Sequence, residues 1–387
     1  MSERLVIVGA SVRAAAVSAR RAGFAPLAAD LFADRDLADC CPTIRVTDYP
    51  AGFPKAIREF PAAAWLYCGG LENYPAIVDE ISAERPLLGN PGSVLRRIRD
   101  PLEFARVLRD EGLDVPTAAL SLPPRRLGPW LRKPRGSSAG FGIRRISHDA
   151  TDDAFPPDAD VYFQEQIDGL SCSAVFVAHA KSAELIGVTE QLVGCDWLGT
   201  SGFRYCGSIG PLPGSESVRA AFRRIGACLA ERFDLAGLFG VDAIVADERV
   251  WPVEVNPRYT ASVEILERSL GVQSLRIHVA ACRGESLPPR PWLTKAAPLV
   301  YGKAILFANR AMSVPREFAD FVRQTNRDAA WPVVADIPHV GSAVEKGQPI
   351  TTVFAEGGSI DSVRDQLRDR AAVVRDIFEP SPPRDTV

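Results

Sequence analysis

The first part of the chain alternates short β-branched runs with alanine-rich segments. The run RLVIVG at 4–9 predicts a strand, and SVRAAAVSARRAG at 11–23 has helical composition with a glycine stop. Further apolar runs end at Asp30 and at Gly69 and Gly70, so strands alternate with helices. This order predicts a parallel sheet with helices on its faces. The first turn lacks GxGxxG spacing, which disfavours a dinucleotide-binding domain and hence a plain dehydrogenase.

The middle of the chain predicts a second group of elements. The segment DPLEFARVLRDEG at 100–112 has the apolar spacing of a helix. After it, WLRKP predicts a strand that is followed by a loop of glycine and serine residues. The segment VYFQEQIDG predicts another strand. Residues 216–234 predict an amphipathic helix. The stretch 237–259 predicts two strands that a turn at Asp247 and Glu248 joins into a hairpin.

The last hundred residues or so predict a smaller α+β unit. The runs YGKAILFA at 301–308 and PITTVFA at 349–355 predict strands, and 359–378 predicts a closing helix. We expect this part to form a small cap that completes a pocket or mediates a homodimer.

Composition narrows the class of protein. The chain has 387 residues, 47% hydrophobic residues and a net charge of -3, without a basic block, which disfavours a nucleic-acid binder. No window approaches the roughly 18 apolar residues that span a bilayer, and the first residues run directly into a strand. We therefore expect a cytoplasmic protein without membrane contact. The eight cysteines show no CxxC pair and are expected to be reduced.

The loop at 136–142, GSSAGFG, is the first candidate for chemistry. Its glycines let the backbone approach an anion, and Lys133 lies on the strand that enters it. A compact cation there would neutralise phosphate oxygens. A Walker A loop is excluded because GxxxxGK[ST] is absent. The alternative is an ordinary surface turn.

The hairpin carries the second candidate. Asp242 lies on its first strand, and Glu254 and Asn256 lie two residues apart on the same face of its second strand. Three hard oxygen donors suit Mg²⁺, which completes its coordination with water and nucleotide phosphates. Arg258 follows and can hold a carboxylate or a phosphoryl group through its fork of donors. The alternative is an acidic face balanced by Arg249 and Arg258.

The order WLRKP, glycine-rich loop, QEQIDG, VDAIV and VEVNPR resembles the ATP-grasp superfamily over about residues 95–275. The resemblance implies a fold of α/β and α+β type in three parts. These are a pre-ATP-grasp parallel α/β domain (1–94), a two-lobed ATP-grasp body (95–285) and a small C-terminal α+β cap (286–387).

The resemblance also implies roles for the site residues. ATP would be bound by Lys133 and by the mobile lid loop, with Gly136, Ser137, Ser138, Gly140 and Gly142. An adenine hinge would consist of Gln164, Glu165, Gln166 and Ile167, with Glu165 acting through its carboxylate and the others largely through their backbone. Many members carry a glutamate for ribose where this chain has Ser171, and Asp168 is the substitute that we predict. Asp242, Glu254 and Asn256 would hold one or two Mg²⁺ ions, which Mn²⁺ can replace, and Arg258 and Lys133 would be catalytic.

The implied activity is a carboxylate-amine ligation through an acyl phosphate, with ADP and phosphate as products. Such chemistry needs no side-chain nucleophile, which agrees with the lack of a Ser-His-Asp or Cys-His arrangement. The narrower resemblance is to stand-alone ligases of amino-acid or cofactor pathways, such as those that attach glutamate to tyramine or to a pterin. The alternatives are a carboxylase or kinase-like enzyme of the same fold and an ATP-binding regulatory protein without turnover. Small-molecule acid and amine substrates are the expected partners.

Overall fold

A computed structural model describes residues 2–124, 128–147, 160–288 and 299–379. Its N-terminal unit contains four parallel strands, which confirms the predicted alternation of strands and helices. The strands are β1 (Arg4–Gly9), β2 (Ala25–Asp30), β3 (Thr43–Arg45) and β4 (Ala64–Tyr67), in the order β3-β2-β1-β4. The helices are α1 (Arg13–Arg21), α2 (Arg35–Cys40), α3 (Phe53–Arg58) and α4 (Pro75–Glu84), and a 3₁₀ turn (Leu71–Asn73) follows β4.

The central strand β1 is apolar without alternation because both of its faces are covered. Val6 and Val8 pack toward Phe53 on α3, whereas Ile7 packs on the opposite side, toward α1. The N-terminal sheet is therefore buried between two layers of helices. The carboxyl ends of its strands face the rest of the molecule.

Two helices and a small antiparallel sheet follow. The helices are α5 (Gly92–Ile98) and α6 (Pro101–Asp110), and Asp100 caps α6 by accepting hydrogen bonds from the amides of Leu102 and Glu103 at 2.8 and 3.1 Å. The strands are β5 (Ala118–Ala119), β6 (Trp130–Pro134), β7 (Arg144–Ile146) and β8 (Val161–Glu165), in the order β5-β8-β6-β7. We call this the lid sheet.

The large sheet has eight strands in the order β13-β12-β9-β10-β11-β14-β18-β16. Its first five strands in the chain are β9 (Leu170–His179), β10 (Ser182–Val193), β11 (Tyr205–Gly210), β12 (Gly237–Ala246) and β13 (Arg249–Asn256). The helices that accompany them are α7 (Glu216–Phe233), α8 (Ala261–Leu270) and α9 (Ser274–Cys282). Phe222 and Leu229 of α7 pack against Phe176 and Phe239, whose stacked rings lie 5.0 Å apart. None of the described helices is long and apolar enough to cross a membrane.

The C-terminal part contributes strands to the same large sheet. Its elements are β14 (Val300–Phe307), β15 (Met312–Ser313), α10 (Arg316–Asn326), β16 (Val334–Ala335), β17 (Ala343–Val344), β18 (Pro349–Gly357) and α11 (Ile360–Phe378). The sequence predicts a small cap here, whereas β14 pairs directly with β11 and covers what would be an exposed strand edge. The large sheet therefore runs across the predicted limit at 285/286, and the domain limits stay predictions.

Arg13 is a buried residue at which three parts of the chain meet. Its Nη1 lies 2.5 Å from Glu264 Oε1 on α8, and its Nε lies 2.9 Å from Asp336 Oδ1 in the C-terminal part. Lys303 Nζ on β14 donates to the other oxygen of Glu264 at 3.2 Å. Charges removed from water to this extent are stable only while each is paired. The network therefore fixes the N-terminal unit against α8 and the large sheet.

We expect Arg13→Met to lower the free energy of unfolding by about 3–5 kcal/mol, because Glu264 and Asp336 would lose a buried partner. Urea denaturation followed by circular dichroism measures the change. The control is Glu3→Gln, which breaks the exposed Glu3–Arg283 pair and should cost less than about 1 kcal/mol. Equal effects of the two substitutions would contradict the clamping role of Arg13.

Candidate active site

The predicted metal ligands lie together on the hairpin of β12 and β13. Asp242 pairs directly with Glu254 across the two strands. Asn256 Nδ2 donates to Asp242 Oδ2 at 3.0 Å. The hairpin closes at Asp247 and Glu248, whose φ angles of 49° and 60° suit the tight turn that the sequence predicts.

Asp242 is held in a setting that favours a cation. Burial, and after it the negative charge of Glu254, raises the pKa of the Asp242 carboxyl to about 6. Gln191 Nε2 donates to Asp242 Oδ1 at 3.0 Å, which orients the carboxylate. Two adjacent carboxylates and an amide fit the oxygen ligands that Mg²⁺ prefers. Over the described ranges, no group of three or more His, Cys, Asp or Glu side chains could hold a metal, so a three-ligand site would need Asn256.

Arg99 is the cation that pairs with Glu254, and sequence reasoning missed it. Its Nη1 contacts Glu254 Oε1, and its Nη2 donates to Asn73 Oδ1 at 2.8 Å and to Ser137 O at 3.1 Å. The alternative prediction from sequence, an acidic face, has Arg249 and Arg258 as its balancing charges, but Arg249 Nε donates to Asp114 at 3.0 Å instead. No local pattern links Arg99 to Glu254, which lie 155 residues apart in the chain.

Lys133 faces the same cleft from the lid sheet. Its ammonium is buried and donates to Gln164 Oε1 at 3.0 Å. The cleft lies between the lid sheet and the large sheet. Its polar lining includes Arg99, Lys133, Arg135, Ser137, Tyr162, Gln164 and Glu254. The structure thus brings the predicted lysine and one predicted metal ligand into one cavity.

The loop at 136–142 is docked across this cleft. Asn73 Nδ2 of the N-terminal unit donates to Ser138 Oγ at 2.8 Å. On the other side, the Tyr205 amide at the start of β11 donates to Ala139 O at 3.1 Å. A Cβ at Gly140 would lie 1.8 Å from Phe203 O, so this contact is accessible only to glycine. The loop therefore bridges two units, as expected of a closed lid.

Gln164 and Glu165 end β8 and project to opposite faces, because neighbouring strand residues alternate. The Gln164 side chain faces the cleft beside Lys133. The Glu165 carboxylate accepts hydrogen bonds from the Thr117 amide at 3.2 Å and from Thr117 Oγ1 at 3.0 Å. Thr117 thus already binds the carboxylate to which the sequence assigns adenine contact.

Gln166, Ile167 and Asp168 connect the lid sheet to β9. The Gln166 amide donates to Pro129 O at 2.9 Å, and Gln166 Nε2 donates to Asp168 Oδ1 at 2.9 Å. Ser171 Oγ, at the expected ribose position, donates to Gln191 Oε1 at 2.9 Å. The connection is therefore fixed by its own hydrogen bonds, and its contacts with adenine and ribose stay predictions.

Arg258 lies in the interior next to the metal ligands. Its Nη2 donates to Asn256 Oδ1 at 3.0 Å and to Glu72 Oε1 at 2.5 Å. Sequence reasoning missed Glu72 and its neighbour Asn73. A signal was present, since both follow the glycine pair after β4, and the carboxyl ends of parallel strands are where α/β sheets place functional groups.

Arg204 follows the loop at 194–202, for which the sequence predicts either a place at an acceptor pocket, with Arg204 holding an acidic group, or a plain surface loop. Its guanidinium lies 5.5 Å from the Phe141 ring of the lid loop and 5.1 Å from the Phe307 ring of β14. Desolvation lowers the pKa of Arg204. These contacts attach the lid to β11 and β14, and a substrate contact of Arg204 stays a prediction.

Comparison with known proteins agrees with this arrangement. Residues 98–262 match the family model described as an ATP-grasp domain, so this part of the chain is an ATP-grasp domain. The chain superposes on N5-carboxyaminoimidazole ribonucleotide synthetase from Thermus thermophilus with a TM-score of 0.69, 15% identity and coverage of 98% and 99% of the two chains. It superposes on L-amino acid ligase from Bacillus licheniformis with a TM-score of 0.71, 13% identity and coverage of 95% and 96%. These likenesses show the ATP-grasp fold.

One curated relative is an uncharacterised protein of Methanocaldococcus jannaschii. It is 25% identical over 286 residues, which are 70% of this chain and 64% of that protein. The chain therefore matches less than two thirds of that relative's length. The comparisons identify the fold and the domain, but they do not identify the substrates.

We expect Gly140→Ala to undock the lid, because the new methyl group would overlap Phe203 O and the residue holds a φ of +72°. Chymotryptic cleavage at Phe141, measured by mass spectrometry, should become several-fold faster. The control is Gly136→Ala, where an added Cβ meets no atom within 4 Å. A nonhydrolysable ATP analogue should slow cleavage of the wild type, and equal rates with and without it would contradict a lid function.

Proposed function

We propose that this chain is an ATP-dependent ligase that joins a small-molecule carboxylate to an amine and releases ADP and phosphate. The observation that carries the proposal is the single cleft in which Lys133 and Glu254 lie under the docked lid loop. A buried cation opposite a pair of carboxylates is suited to bind a nucleotide triphosphate with its metal. The ATP-grasp domain match over residues 98–262 supports the same assignment.

The proposed reaction has two steps. A carboxylate oxygen of the acid attacks the γ-phosphorus of ATP, and ADP leaves. The amine then attacks the carbonyl carbon of the resulting acyl phosphate, loses a proton and expels phosphate. Activation is needed because a carboxylate has no leaving group that an amine can displace in water.

The residues of the cleft and of the adjoining hairpin have distinct roles in this proposal. Lys133 contacts the phosphates, and the closed lid loop keeps water from the acyl phosphate. Arg258 stabilises negative charge on the group in transfer. One or two Mg²⁺ ions, held by Asp242, Glu254 and Asn256, would offset charge on the phosphates, and Mn²⁺ accepts the same oxygen ligands.

Adenine would lie at the hinge of residues 164–167, with Asp168 next to the ribose. The amides of Glu165 and Gln166 already donate to Thr117 O and Pro129 O, each at 2.9 Å. Backbone recognition by these two residues would therefore use their carbonyl oxygens, which accept from an amino group. Within this class we propose addition of an amino acid such as glutamate to a small-molecule partner in a cofactor pathway.

The direct test is ADP release with Mg-ATP and a pooled panel of amino acids, amines and cofactor precursors, with mass spectrometry of the pool. We expect a new mass equal to an acid plus an amine less water. Glu254→Ala should lower turnover at least about 100-fold, because the phosphates lose a metal ligand. ADP without a condensed product would favour a kinase or carboxylase, and normal turnover of Glu254→Ala would overturn the metal assignment.

Lys133→Ala should raise the KM for ATP and lower kcat about 100-fold, because the buried cation beside Gln164 is removed. Steady-state kinetics in the same assay measure both constants. The control is Lys181→Ala, an exposed lysine paired with Asp234 at 3.4 Å, for which we expect unchanged constants. Unchanged kinetics of the Lys133 variant would show that this lysine does not act on ATP.

A further inference from the structure

Glu72 and Arg258 form an ion pair between the N-terminal unit and the ATP-grasp domain. Glu72 lies in the 3₁₀ turn after β4, outside the residues that match the ATP-grasp domain. Its Oε1 accepts from Arg258 Nη2 at 2.5 Å, and the side chains are 1% and 12% exposed, respectively. The two residues are 186 positions apart in the chain. This contact therefore attaches Arg258 to the N-terminal unit.

The hydrogen bonds of Arg258 leave part of its guanidinium available. Nη2 donates to Glu72 and to Asn256 Oδ1, and Nη1 donates to Tyr259 O at 3.2 Å. These bonds use three of the five N–H donors of an arginine. Within the described ranges, Nε is buried without a hydrogen-bond partner. Nε and one N–H of Nη1 therefore remain, among the described residues, for a negatively charged group.

The pair is ionised despite its burial. Burial alone would raise the pKa of Glu72, but Arg258, and after it Arg99, holds the pKa of Glu72 below its ordinary value. The pKa of Arg258 is correspondingly raised above its ordinary value, against the effect of burial, chiefly by Glu72.

We propose that Glu72 is a positioning residue for Arg258. It fixes the guanidinium beside Asn256 for contact with the group in transfer, so the N-terminal unit completes the catalytic centre. This inference rests on the proposed function of Arg258. A purely structural ion pair between the units would instead affect folding and leave the chemistry of the nucleotide site unchanged.

The test uses Mg-ADP with and without aluminium fluoride, a mimic of the phosphoryl group in transfer, so the substrates need not be known. Calorimetry gives the gain in affinity that aluminium fluoride provides. We expect Glu72→Gln to reduce this gain at least about 10-fold while the Kd for Mg-ADP alone changes less than about 2-fold. Arg258→Lys should abolish the gain, and the double variant should lose no more than Arg258→Lys alone.

Two control variants distinguish a positioning role of Glu72 from a purely structural ion pair. Glu3→Gln removes an ion pair that also joins distant parts of the chain, and it should leave the gain unchanged. Glu72→Asp keeps the charge, should retain more of the gain than Glu72→Gln, and provides the readout if the glutamine variant does not fold. A normal gain in Glu72→Gln beside a lost gain in Arg258→Lys would overturn this inference alone. A normal gain in Arg258→Lys, or no binding of Mg-ADP to the wild type, would overturn the proposed function as well.

Discussion

The pairing of Asp242 with Glu254 across a hairpin is the interaction around which the site is arranged. Two carboxylates directly opposite each other repel, and in a buried position the repulsion is screened little. Compensating charge comes from outside the hairpin: Arg99 precedes α6 and contacts Glu254, and Arg258 follows β13. Both arginines are held in turn by the 3₁₀ turn of the N-terminal unit, through Asn73 and Glu72. The charge of the hairpin is therefore compensated because the 3₁₀ turn, the residue before α6 and the segment after β13 come together.

The same set of contacts connects the lid to the metal ligands. Asn73 binds both Ser138 of the lid loop and Arg99, and Arg99 binds both Ser137 O and Glu254. A cation that binds Glu254 competes with Arg99 for the same carboxylate. If Glu254 binds a metal as proposed, metal binding and release of the lid backbone would be coupled through the guanidinium of Arg99.

The features predicted from sequence are those encoded within short stretches. The parallel strands of the N-terminal unit, the hairpin with its turn at Asp247 and the placement of Lys133 before a glycine-rich loop all follow from local periodicity and turn chemistry. The ion pairs of Arg99 with Glu254 and of Glu72 with Arg258 could not be predicted in this way, because the partners lie more than a hundred residues apart in the chain. The place of β14 was missed for a related reason. A strand pattern shows that a segment pairs, and only the fold shows that its partner is β11.

Arg99, Arg258 and Lys133 differ in how their charge is compensated, and this difference agrees with the different roles proposed for them. Arg99 and Arg258 each already pair with a carboxylate, and the Nε donor of Arg258 has no hydrogen-bond partner among the described residues. Lys133 is equally buried, but its hydrogen bond goes to the neutral amide of Gln164, and its ammonium lies 5.6 Å from the Tyr162 ring. A buried ammonium held by neutral groups gains most from an incoming anion. In the proposed function the triphosphate of ATP is this anion, and Lys133 would meet the phosphates without first breaking an ion pair in the part of the chain that the structure describes.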